Sequence, residues 1–112
     1  VNTDRQSLSV VVGNLNDNTP VITSGGGGPT FSLTVDENAS AVTTVTATDA
    51  DGTAPGYSIA GGADAALFTI DPATGVLSFV VPPDYENPAD ANRDNIYDVI
   101  VEASDGTNTD QQ

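Results

Sequence analysis

The chain has no cysteine, histidine, methionine or tryptophan among its 112 residues. Without cysteine there is no disulfide framework and no thiol chemistry. Without histidine, imidazole acid–base work and soft-metal sites are excluded. Positive charge is nearly missing: Lys+Arg number 2 against 16 Asp+Glu, a formal charge of −14. That balance excludes nucleic acid as a partner, because phosphate binding needs Lys and Arg, and it excludes anionic membrane surfaces. No run of about 18 apolar residues is present, so nothing reads as a membrane-spanning or membrane-inserted helix. Hydrophobic residues make up 38% of the chain, with three Phe and three Tyr. That fraction is below the globular average, but 112 residues make one domain of a size that can bury a single core without staples.

What the chain does have is oxygen. Asn14-Leu15-Asn16-Asp17-Asn18-Thr19-Pro20 stands near the start, and Asp84-Tyr85-Glu86 stands towards the far end. Between them lie Glu37 and Asp49-Ala50-Asp51-Gly52. Carboxylates held close together repel one another unless a cation joins them. Hard cations such as Ca²⁺ take roughly six to eight oxygens from carboxylates, amides and backbone. The residues therefore point to a calcium-dependent extracellular module. High acidity without cysteine suits a secreted bacterial protein that folds where calcium is plentiful.

Apolar and polar residues alternate through most of the chain, with many β-branched positions and no sustained helical period. Strands are expected at Leu8–Val12, Phe31–Val35, Val42–Thr48, Tyr57–Ile59, Phe68–Ile70, Val76–Val80 and Ile96–Ala103. Asp71-Pro72-Ala73-Thr74-Gly75 is a turn signal between two of them. Short strands separated by frequent turns suggest a β-sandwich. Ser24-Gly25-Gly26-Gly27-Gly28-Pro29 reads as a flexible break, either a plain surface loop or a hinge for the first strand.

One internal repeat organises the ends. Asn2-Thr3-Asp4-Arg5-Gln6 is matched by Asn108-Thr109-Asp110-Gln111-Gln112. Residues 1–13 then read as the last strand of a preceding unit, and as a donor strand. Residues 14–29 read as a linker with a hinge. Residues 30–112 read as a domain lacking its own last strand. The segment 7–13 has three open fates: pairing with another chain, pairing within its own chain, or no pairing.

At these motifs the chain resembles the cadherin superfamily, in its bacterial branch of cadherin-like adhesin repeats. The family linker Asp-x-Asn-Asp-Asn-x-Pro is matched by Asn14 to Pro20, with Asn14 replacing the first Asp. The early Glu is matched by Glu37, the Ala-x-Asp-x-Asp-Gly run by Ala47 to Gly52, and Tyr-Ser-Ile by Tyr57 to Ile59. Phe-x-Ile-Asp-x-x-Thr-Gly is matched by Phe68 to Gly75, Asp-x-Glu by Asp84 to Glu86, and the final Ala-x-Asp by Ala103 to Asp105. The resemblance implies an all-β, seven-stranded Greek-key β-sandwich of the cadherin/immunoglobulin-like kind, with Ca²⁺ at its poles. One pole would gather Asn16, Asp17, a backbone oxygen near Asn18, Asp49, Asp51 and Asp105. The other would hold Glu37, Asp84 and Glu86, half a site that the family completes with the linker of a neighbouring unit.

Asp90, Asn92 and Asp94 form a further candidate. Oxygen side chains at alternate positions of one tight loop can wrap a cation, although the same residues also form Asx turns. The expected function is mechanical: a calcium-rigidified tile of a secreted or cell-surface adhesin, with neighbouring repeats or identical chains as partners. A rival reading is a calcium-dependent carbohydrate-binding module that takes cell-surface polysaccharide, with Tyr85 as the aromatic to watch. Catalysis is not expected. Asp84 and Glu86 resemble a glycosidase pair only in residue type, and no His or Lys is present to activate Ser or Thr.

Overall fold

The computed structural model describes residues 2–13, 15, 18–52 and 54–112. Asn14, Asn16 and Asp17 of the expected linker lie outside them. Among the described residues eight strands form: β1 Val21–Ile22, β2 Ala41–Thr44, β3 Ala47–Thr48, β4 Gly56–Gly61, β5 Phe68–Ile70, β6 Val76–Phe79, β7 Ile100–Ser104 and β8 Thr109–Gln111. They make three antiparallel sheets, ordered β1-β3, β2-β6-β5 and β4-β7-β8. Among the described residues there is no α-helix, only short 3-10 turns at Ser24–Gly27 and Ala65–Leu67. The described residues are all-β and antiparallel, as expected, but their strand count differs from the expected seven.

Two local causes add strands beyond the unexpected β1, while the expected segments 8–12 and 31–35 carry no ladder among the described residues. The expected strand 42–48 changes partners midway. Thr43 and Thr44 register with Leu77 and Val76 of β6, whereas Ala47 and Thr48 register with Ile22 and Val21 of β1. At the switch Val45 donates its N–H to Gly75 O at 2.8 Å, and Thr46 O accepts from Thr23 N at 2.8 Å. One run of sequence thus serves two sheets. The second cause is β8, which the composition Thr-Asp-Gln did not announce. Glu102, Ala103 and Ser104 pair with Gln111, Asp110 and Thr109. Gln112 then exchanges both main-chain hydrogen bonds with Val101, at 2.9 and 3.0 Å.

The core is small and apolar: Ile22, Val45, Phe68, Leu77, Phe79, Val101 and Ala103. These come from all three sheets, so burying them holds the sheets together. Phe68 and Phe79 stack with centroids 4.7 Å apart, and Tyr97 meets both edge-on. The turn between β5 and β6 is built as its sequence suggests. Asp71 Oδ1 accepts from the amides of Ala73 and Thr74 at 2.8 and 3.1 Å. Gly75 is buried at φ 76°, and a Cβ there would run into Val45 O.

The Gly-rich segment is tethered. Gln112 Nε2 donates to Ser24 O at 3.0 Å and to Gly28 O at 2.9 Å. Asp110 Oδ2 accepts from Ile22 N at 2.8 Å, tying β8 to β1. Three expected strand segments carry no ladder among the described residues: 8–12, 31–35 and 96–99. The last keeps its alternation even so, with Tyr97 and Val99 half-buried and Ile96 and Asp98 exposed. No helix of the described residues is long and apolar enough to cross a membrane.

Candidate metal centres

The first centre lies where β3 and β7 run out. Asp49 follows β3 directly, and Asp105 follows β7 directly. The turn after β3 folds back on itself. Gly52 N reaches Asp49 O at 3.0 Å and Asp51 N reaches Asp49 Oδ1 at 2.8 Å. Asp105 builds a similar turn, its Oδ1 accepting from Thr107 N at 2.8 Å and Asn108 N at 2.6 Å. These Asx turns aim the three carboxylates inward, so that Asp49, Asp51 and Asp105 offer oxygens all within 4.8 Å of one another. Asp49 Oδ2 is buried and meets no hydrogen-bond donor among the described residues. A buried carboxylate oxygen without a donor is costly, and a hard cation removes that cost while screening the repulsion. The residues present therefore fit Ca²⁺.

The linker reaches this centre. Asn18 donates its main-chain N–H to Asp51 Oδ2 and its Nδ2 to Asp51 Oδ1, both at 2.8 Å. Its carbonyl accepts from Asn108 Nδ2 at 3.3 Å. Asn18 is thus brought to Asp51 and Asp105's neighbour Asn108. Asn16 and Asp17 lie outside the described residues.

The second centre comprises Glu37, Asp84 and Glu86, all exposed, with oxygens within 4.8 Å of one another. Glu37 is held by Tyr85, whose N–H meets its Oε2 at 2.7 Å. The turn carrying Glu37 is fixed by Asn38, at φ 67°, donating to Pro83 O at 2.8 Å. Asp84 Oδ1 accepts from Glu86 N at 3.1 Å. Glu86's own amide lowers its carboxyl pKa, but the carboxylates of Asp84 and Glu37 outweigh it and push the value above the ordinary one. Crowded negative charge is the cause.

The loop at 90–95 uses its oxygens internally. Asp90 is 3% exposed, and its carboxylate accepts from Asp94 N at 2.9 Å and Asn95 N at 3.2 Å. Burial would raise its pKa, yet the hydrogen bonds from Asp94 and Asn95 outweigh burial and hold it low. Asn92 Nδ2 donates to Asp94 Oδ2 at 3.0 Å, and Asp94 Oδ1 accepts from Ile96 N at 2.9 Å. Asp90, Asn92 and Asp94 do not converge with the other two clusters. Tyr85 is 66% exposed, while Phe68, Phe79 and Tyr97 belong to the core packing.

Two residues important to this architecture carried no signal of their own. Asp64 is 4% exposed and bridges two segments, accepting from Ala91 N at 2.7 Å and Asp98 N at 2.8 Å. In Gly-Gly-Ala-Asp it reads only as a turn residue. Asn108 clamps Asn18, and the one hint of its place was its match to Asn2 in the repeated text.

The family model described as "Cadherin domain" matches residues 31–112. The chain is also similar to "Halomucin" of Haloquadratum walsbyi (strain DSM 16790 / HBSQ001), 54% identical over 35 residues. That match covers 31% of this chain and, to the nearest per cent, 0% of the length of the relative. The match over most of the chain shows that it belongs to the cadherin domain family.

Proposed function

We propose that this cadherin domain is a calcium-binding tile of a secreted or cell-surface adhesin, stiffened by Ca²⁺ at the junctions between repeats. Residues 30–112 form the domain, 14–29 the calcium linker, and 1–13 the last strand of a preceding repeat, in the Greek-key sandwich the family implies. Asp49, Asp51 and Asp105 would hold Ca²⁺ at one pole, joined by Asn16, Asp17 and the backbone near Asn18. Glu37, Asp84 and Glu86 would hold it at the other. When bound, the ion supplies charge neutralisation and cross-linking, not chemistry on a substrate. The partners are neighbouring cadherin-like repeats or identical chains.

The observation that carries this reading is the buried Asp49 Oδ2, which lacks a donor among the described residues inside a triad of carboxylates. Linkers are ordinarily flexible, and a cation shared between linker and domain removes that freedom. Thermal unfolding in millimolar calcium and in chelator tests the proposal. A rise in Tm of about 10 °C with calcium is expected, since a ligand at about 100 times its Kd adds about 2.7 kcal/mol. Unchanged melting would refute it. The exposed ring of Tyr85 beside Glu37 and Asp84 favours one second reading, calcium-dependent polysaccharide binding. Loss of polysaccharide pull-down in Tyr85→Ala would support that class.

A further inference from the structure

The fold leaves the side chain of Asn38 unused. Asn18, Asn92, Asn95 and Asn108 each donate their Nδ2 inside the chain, to Asp51 Oδ1, Asp94 Oδ2, Tyr85 O and Asn18 O. Asn38 is exposed and gives its main-chain N–H to Pro83 O at 2.8 Å. Its side-chain amide meets no hydrogen-bond partner among the described residues. The backbone there sits at φ 67°, in the left-handed region that Gly and Asn tolerate best. That explains why Asn is accepted in the turn, not why its amide is left to solvent. Asn95 is the contrast: at φ 65° it has the same conformation, and its Nδ2 is committed to Tyr85 O at 3.1 Å.

The residues after Asn38 give the free amide a use. Asn38-Ala39-Ser40 is Asn-x-Ser with no proline between, and no other asparagine of the chain begins an Asn-x-Ser or Asn-x-Thr triplet. This is the acceptor pattern for asparagine-linked glycosylation. The chemistry needs a hydroxyl at that spacing. A carboxamide nitrogen is a poor nucleophile, because its lone pair is delocalised into the carbonyl. A hydroxyl two residues on is within reach of the Asn side chain and can orient it by a local hydrogen bond. Ser40 is exposed, and its hydroxyl is likewise without a partner among the described residues. Its main-chain oxygen accepts from Phe79 N at 2.7 Å, which anchors the triplet just before β2. Exposed Asp36 and Glu37 precede the triplet, and their charge suits a cationic acceptor groove.

We propose that Asn38 is the attachment site of an N-linked glycan, transferred from a lipid-linked glycosyl diphosphate as the chain is exported. The assignment rests on the secreted or cell-surface part of the reading above, and not on its calcium part. In the transfer, Asn38 Nδ2 bonds to C1 of the sugar as the bond from C1 to the diphosphate oxygen breaks. The diphosphate leaves with that electron pair, and the proton lost from Nδ2 passes to a base of the transferase. Nothing is oxidised or reduced. The contact with Pro83 sets Asn38 beside Asp84, and Glu37 precedes it, so the glycan leaves from the rim of the second acidic centre. Attachment through Nδ2 consumes none of the carboxylates of Glu37, Asp84 and Glu86. The flank of that pole thereby gains a bulky, solubilising cover while the acidic groups stay available.

The full chain, exported in a cell that carries an asparagine-linked oligosaccharyltransferase and its lipid-linked glycan, tests the assignment. The readouts are intact mass and fragmentation of the peptide spanning 31–40. Wild type should gain the mass of the glycan, localised to Asn38. The gain should be lost in Asn38→Gly and in Ser40→Ala, and kept in Ser40→Thr. Gly adopts a φ of 67° without strain, so Asn38→Gly removes the acceptor and keeps the turn. An unmodified wild type overturns the proposal. So does a gain that survives Asn38→Gly, which would put the sugar on a Ser or Thr. The calcium reading fails separately, as a missing Tm shift in both wild type and Asn38→Gly, and that result leaves the glycan standing.

Discussion

Replacing Asp49 by Asn should change stability with opposite signs in calcium and in chelator. The substitution keeps the shape of the side chain, and its remaining oxygen can still accept from Asp51 N, now at 2.8 Å. It removes one charge from a triad whose oxygens lie within 4.8 Å of one another. At that separation each repulsive pair is worth about 3.5 kcal/mol at an effective permittivity of 20 and about 0.9 kcal/mol at that of water. The three residues are half-buried, so relief of about 1–3 kcal/mol is expected without metal. In chelator, Asp49→Asn should therefore melt higher than wild type. In calcium the same change deletes a ligand whose Oδ2 is buried without a donor among the described residues. Most of the stabilisation of about 2.7 kcal/mol expected from one site at about 100 times its Kd should vanish. The two melting curves should cross in order, measured by circular dichroism or calorimetry at matched ionic strength. Equal destabilisation in both buffers would refute the reasoning, because it would make Asp49 a structural turn residue and nothing more.

Asp64→Ala should lower stability by about 1–3 kcal/mol in urea unfolding, with or without calcium, because the part-buried amides of Ala91 and Asp98 lose the acceptor that ties their two segments together. An effect seen only in calcium would contradict that structural role. Asp71 is held below its usual carboxyl pKa by the amides of Ala73 and Thr74. A depressed value in the folded state means that its contribution is present above the unfolded pKa and lost as pH falls through the folded one. Asp71→Asn should therefore be less stable than wild type at neutral pH, with the gap closing below the model-compound value of 3.8. A gap that stays constant in acid would remove the carboxylate from the turn's energetics.

The order of motifs made the family and the acidic clusters legible before any coordinates. Asp49, Asp51 and Asp105 converge because the first two sit in the turn that Gly52 closes and the third directly follows β7, which registers beside β4. Legibility failed where tertiary partners decide the outcome. Val45 and Thr46 look like the middle of one strand, and only the packing of Gly75 and β1 splits it in two. Thr109–Gln111 has poor strand composition, and it pairs because Asp110 and Gln112 bond to Ile22 and to the Gly-rich segment. Asp90 and Asp94 have the alternation of a cation loop, but the sequence could not say that main-chain amides would take their oxygens first. Asp64 was invisible because its value lies in two amides remote from it along the chain.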